Sequence, residues 1–105
     1  MQEAHTLPYR IEYSPEAEDH LRRLTIQDQR LVLDTVDIRL SHQPTHETKN
    51  RKPMRPNPVA PWELRMGELR VYYDVQVKPE PLVRILAVGI KQRDQVLIGK
   101  EVIKL

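Results

Sequence analysis

Hydrophobic and polar positions change rhythm several times along this chain. Tyr9, Ile11 and Tyr13 alternate with Arg10 and Glu12. Period-two alternation predicts a half-buried first strand over residues 8–13. Ser14-Pro15 follows, a good helix cap with proline at the first helical position, where its missing N–H costs nothing. Glu16, Glu18 and Asp19 suit the positive end of the helix dipole. Ala17, Leu21 and Leu24 then form a narrow apolar stripe, which predicts a helix over 15–24. Thr25, with Asp28 three residues on, caps a second helix. Its expected buried stripe is Val32, Leu33, Val36 and Leu40, with Arg30, Asp34, Asp37 and Arg39 in solvent. It ends near Ser41–Gln43, ahead of Pro44. The short Thr25 turn implies a helical hairpin with both stripes on one sheet.

Residues 44–61 carry five prolines, a density that excludes a helix or a central strand and predicts a long loop. Alternation resumes at Trp62, Leu64 and Met66, then at Val71, Tyr73 and Val75. These runs predict a hairpin of strands 62–66 and 69–77 around Met66-Gly67-Glu68. After a Lys78–Pro81 turn, residues 82–90 are almost continuously apolar, as in a strand covered on both faces. Ala87 and Gly89 share one face and leave room for another backbone or a ligand to approach. Residues 94–105 are ambiguous between edge strand, packed tail and partner-induced helix. The predicted fold is α+β: a helical hairpin on one face of a small, mainly antiparallel sheet, the other face open.

Composition narrows the picture. The chain has 105 residues, 39% of them hydrophobic, enough for one small domain over 1–105. It has no cysteine, which excludes disulfides, thiolate nucleophiles and cysteine-based zinc sites. No apolar run spans a membrane, and residues 1–8 lack the basic and apolar regions of a signal peptide, so a cytoplasmic location is expected. His42 and His46 straddle Pro44 with no third ligand evident, and the glycines form no phosphate loop, so neither metal nor cofactor is expected.

Charge is the more informative property. Residues 1–48 hold 5 Lys/Arg against 9 Asp/Glu, whereas residues 49–93 hold 10 against 4. The basic half points to an anionic partner, nucleic acid first. The hairpin alternation sets Glu63, Arg65, Arg70 and Tyr72 on the predicted open face, and Lys91 falls there too. Arginines on such a face suit bidentate contacts to phosphodiesters.

Four motifs then occur in order: Tyr-Arg-Ile-Glu-Tyr-Ser-Pro-Glu-Ala, Pro-Thr-His-Glu-Thr-Lys-Asn-Arg-Lys-Pro-Met-Arg, Pro-Trp-Glu-Leu-Arg-Met-Gly-Glu-Leu-Arg-Val-Tyr-Tyr-Asp-Val and Leu-Ala-Val-Gly-Ile-Lys-Gln-Arg. Over residues 9–99 the chain resembles the RelE/ParE superfamily of bacterial type II toxins. The resemblance implies a βααβββ toxin held by a cognate antitoxin. RelE-like members cleave mRNA on the ribosome without a metal, using the 2′-hydroxyl to attack the adjacent phosphate. ParE-like members poison DNA gyrase, and a weakly toxic or inactive antitoxin-binding homologue is a further alternative. Fold alone does not choose among these.

Carried over by position, Arg70 matches the family's catalytic arginine and would stabilise charge on the phosphate. Lys91 matches a second basic position after the last long strand. Lys52, Arg55, Arg65 and Arg93 resemble positions that hold the RNA backbone. Tyr72 is placed either to stack on a base or to pack beside arginine. Pro61 and Glu63 stand where RelE-type enzymes carry lysines, and Leu97 stands nearest their C-terminal tyrosine. Glu63 is therefore read two ways: a base for the 2′-hydroxyl, or a partner that holds Arg65 or Arg70 in place.

Overall fold

The computed structural model describes residues 8–105, so all but the last residue of the 1–8 segment read for a signal peptide lies outside the described residues. The first strand is β1 (Arg10–Tyr13), followed by α1 (Pro15–Arg22) and α2 (Ile26–Leu40). Both predicted caps form. Ser14 Oγ accepts from the Ala17 N–H at 3.0 Å, and Thr25 Oγ1 from the Asp28 N–H at 3.1 Å. The first helix is shorter than predicted and ends at Arg22, because the Leu24 N–H turns back to Leu21 O to enter the short link.

Six further strands follow: β2 (Arg51–Pro53), β3 (Trp62–Met66), β4 (Leu69–Gln76), β5 (Leu82–Gln92), β6 (Gln95–Ile98) and β7 (Glu101–Ile103). The predicted hairpin is β3–β4. The proline-rich segment is not wholly loop: β2 pairs antiparallel with β3 and ends on Pro53 at the sheet edge, where a missing N–H is tolerated. The ambiguous tail resolves into a second hairpin, β6–β7, turning at Gly99 with φ of +62°.

The order β2-β3-β4-β5-β6-β7 is antiparallel throughout, and β1 joins β5 in parallel. Long β5 therefore shares one edge between two partners. β1 takes Leu82–Ile85 and β6 takes Gly89–Gln92. Between them α1 supplies side chains in place of a strand. Ser14 Oγ donates to Leu86 O at 3.4 Å, and His20 Nδ1 accepts from the Val88 N–H at 3.3 Å. Accepting there requires a neutral imidazole, and burial holds His20 below the ordinary value of 6.5. Gly89 is small for the predicted reason: a Cβ there would lie 2.7 Å from the Leu97 carbonyl oxygen of β6.

The helices cover one face. Ala17, Leu21, Val32, Val36 and Leu40 pack on Leu64, Val71, Tyr73, Val83, Ile85 and Val88. Leu33, assigned to the buried stripe, is instead 41% exposed. Val32, Val36 and Leu40 repeat at i, i+4 and i+8, which centres the stripe near Val36 and leaves Leu33 at its margin, about 60° from that centre. Trp62 stacks on Tyr73 with centroids 6.2 Å apart, and the Tyr73 hydroxyl donates to Pro44 O at 2.7 Å. That bond pins the start of the proline-rich segment to the sheet.

The opposite face is not open. Residues 54–61 arch back over it while the β6–β7 hairpin covers its other end. Ala60, Tyr72, Ala87, Val96 and Ile98 form a second, smaller core with Met54, Val59, Leu86 and Ile103 packed against it.

Candidate nucleic-acid interface

Register builds the site from three strands. Lys52 of β2 stands opposite Glu63 of β3, which stands opposite Tyr72 of β4. One step along the same face, Arg65 stands opposite Arg70. Like charges in a directly opposed pair repel, and Glu63 answers both arginines. Its Oε1 accepts from Arg65 Nε at 2.7 Å, and its Oε2 lies 3.9 Å from Arg70 Nε. The pairing role proposed for Glu63 is what the geometry displays.

Arg70 is tied down further. Its Nη1 donates to the turn carbonyls of Gly67, at 2.7 Å, and Leu69, at 2.9 Å. Gly67 makes that turn with φ of +61°, a conformation in which glycine carries no strain. Both Arg70 and Glu63 are 8% exposed. Arg70 thus braces the hairpin tip, leaving Nη2 without a protein acceptor among the described residues. Arg65, by contrast, has a half-exposed side chain.

Of the two sequence readings of Tyr72, burial goes against base stacking and leaves the packed one. Tyr72 is 0% exposed, sealed beneath Ala60 and the arch, and is not available to stack on a base in this conformation. Its buried hydroxyl meets no acceptor in hydrogen-bonding geometry. Burial, and then the neighbouring Glu63 carboxylate, push its phenol pKa up.

Beside this row lies a cleft of about 540 Å³. Lys52, Arg55, Glu63 and Arg65 all line it, so four of the eight site candidates converge. Lys104 lines it too, and the sequence did not single it out. Its signal was hidden because only the β6–β7 turn returns residue 104 to the sheet. Lys52 also pairs with Glu47 at 3.5 Å, and Lys104 with Asp94 at 3.8 Å. Both are exposed contacts that an incoming anion displaces at little cost.

Lys91 and Arg93 stand apart. Lys91 is two residues beyond Gly89, which faces Arg70, so register keeps it on the same face but outside the cleft. It is exposed, and its Nζ donates to the Arg93 carbonyl. Arg93 takes a positive φ of 61° at the β5–β6 turn. Among the described residues, no three His, Asp or Glu side chains gather as metal ligands. No described helix is long and apolar enough to cross a membrane.

The fold matches a chain of the solved RelBE2 toxin–antitoxin complex of Mycobacterium tuberculosis. The TM-score is 0.70 at 23% identity, covering 82% of this chain and 94% of that one. The chain has the RelE fold. No family model and no curated protein matches its sequence. The RelE fold was thus legible from ordered motifs although overall identity is low. On this RelE-fold sheet, the cleft gathers four cationic side chains and one carboxylate side chain, Glu63. Such a cleft can hold a phosphodiester and offset charge that develops on it.

Proposed function

We propose that this chain is the toxin of a type II toxin–antitoxin pair and acts as a metal-independent, ribosome-dependent mRNA endoribonuclease. One observation carries the reading: Lys52, Arg55, Arg65 and Lys104 converge on a single cleft of a RelE fold. Four cations suit a run of phosphates, and steering by such a patch falls with added salt. The antitoxin partner is proposed from the solved neighbour, which is itself a toxin–antitoxin complex.

In the proposed reaction the RNA 2′-oxygen attacks the adjacent phosphorus. The P–O5′ bond breaks, giving a 2′,3′-cyclic phosphate and a 5′-hydroxyl. Arg65, oriented by Glu63, contacts a non-bridging oxygen. Arg70 adds positive charge from behind through Nη2. Glu63 is the carboxylate lining the cleft, and its Oε2, the oxygen not bonded to Arg65, accepts the 2′-hydroxyl proton. Solvent protonates the leaving 5′-oxygen. Lys91 and Arg93 hold flanking backbone rather than the reacting phosphate.

Primer extension on mRNA from induced cells tests this. The expected result is 5′ ends phased to codons, lost with growth arrest in the Arg65→Ala variant. A second reading, a toxin that binds its target without cutting RNA, draws on the near-burial of Arg70 and the sealed position of Tyr72. Intact mRNA with stalled replication would favour that reading, with gyrase as the target. Neither effect at good expression would point to an inactive homologue.

A further inference from the structure

The arch over residues 53–61 is short of backbone donors. Pro53, Pro56, Pro58 and Pro61 have no N–H, which leaves five. The Met54 N–H closes the arch on Pro61 O at 2.8 Å. The Val59 and Ala60 N–H groups both go to one side-chain atom, Asn57 Oδ1, at 2.7 and 3.1 Å. The other end of the same carboxamide donates to Arg55 O at 2.6 Å and Ala60 O at 2.9 Å. Asn57 therefore does for the arch what a ladder does for a strand.

Space beside the arch makes that role decisive. The arch lines both the basic cleft and a second cleft of about 450 Å³ that reaches Leu86. Its four prolines fix φ at their own positions, the Met54–Pro61 bond closes its base, and Met54, Val59 and Ala60 seat it on the second core; the Arg55–Ala60 span between is held by Asn57. Arg55 is directly tethered, since its own carbonyl accepts from Asn57 Nδ2.

We propose that Asn57 is a positioning residue: its carboxamide presets the arch and so holds Arg55 at the mouth of the basic cleft. For its role in RNA binding the inference rests on the function proposed above. A ligand then meets Arg55 already ordered, which lowers the entropy cost of binding.

Two measurements on the full chain test it. In Asn57→Ala, the Val59 and Ala60 amides lose their acceptor and should exchange at least about tenfold faster, while β3 and β4 amides stay protected. Unchanged Val59 and Ala60 exchange would overturn the proposal. Second, the Kd for a single-stranded RNA oligonucleotide should rise by roughly tenfold in Asn57→Ala, in line with a lost hydrogen-bond array. Asn57→Asp keeps the acceptor and should fall between wild type and Asn57→Ala. The Asn57→Ala/Arg55→Ala double variant should bind no more weakly than Arg55→Ala alone, because Asn57 acts through Arg55. Additive losses would overturn the link to Arg55. If the wild-type protein binds no free oligonucleotide, the link from Asn57 to RNA binding falls, primer extension still decides the proposed function, and amide exchange still decides whether Asn57 sets the arch.

Discussion

Replacing Glu63 by alanine strips the carboxylate from between two guanidinium groups. The cost divides unequally. The Arg65 contact is short, at 2.7 Å, but Arg65 is 46% exposed and rehydrates readily. Its loss is worth roughly 0.5 kcal/mol, as for other solvent-facing pairs. Arg70 is the larger loss, because only 10% of its side chain reaches solvent. An orphaned buried charge costs about 3–5 kcal/mol, an upper bound here. Two carbonyls still receive Arg70 Nη1, and the 3.9 Å separation from Glu63 is long. We therefore expect roughly 2 kcal/mol in all, or a fall in Tm of about 8–16 °C for a domain of this size. Thermal unfolding followed by far-ultraviolet circular dichroism measures it. The Arg70→Met/Glu63→Leu pair, apolar on both sides, should recover much of the loss. A fall in Tm under about 2 °C for Glu63→Ala would refute the reasoning, because Arg70 would then need no counter-charge.

Other predictions follow from the crowded edge of β5. Gly89→Ala sets a Cβ 2.7 Å from the Leu97 carbonyl oxygen and 2.8 Å from Val96 Cγ1. It should cost about 1–3 kcal/mol in urea unfolding, and an unchanged midpoint would show that β6 yields freely. His20 is held below 6.5 in the folded chain by burial, partly offset by the nearby Asp19 carboxylate, with Arg23, Glu16 and Glu101 also acting on it. Its contribution to stability is complete above 6.5, the unfolded value, and is lost as pH falls through the lower folded value. Wild type should lose more stability than His20→Gln on acidification through that range, and parallel urea profiles for the two would contradict this.

Local chemistry was the legible part of the molecule. Ser14-Pro15 and Thr25 marked both helix starts because a cap is decided within a few residues. The alternation over 62–66 and 71–75 marked the hairpin and set Arg65 and Arg70 on one face, and the register then paired them. Alternation also separated the faces of the sheet, but it cannot say what will cover them. Tyr72 was therefore placed correctly in register and wrongly in solvent. Its roof comes from Val59 and Ala60, in a segment whose prolines read only as loop, and from Ile103, in a tail without a clear period. Lys104 was missed for the same reason. Leu33 was misplaced because an unbroken apolar run, Leu31-Val32-Leu33, does not say which member faces inward.

The parallel pairing of β1 with β5 bears on how the chain is made. Arg10 finds its partner in Leu82, so that contact joins residues 72 apart, 82 − 10, in the sequence. The meander β3–β4–β5 closes short loops and can form early, whereas β1 must wait for a strand synthesised long after it. Closing so long a loop is entropically costly and slows folding. The chain is born with its first strand unpaired, and the helical layer has no complete sheet to rest on until β5 has been made. Whatever activity this sheet carries is withheld until β5 is free to pair with β1.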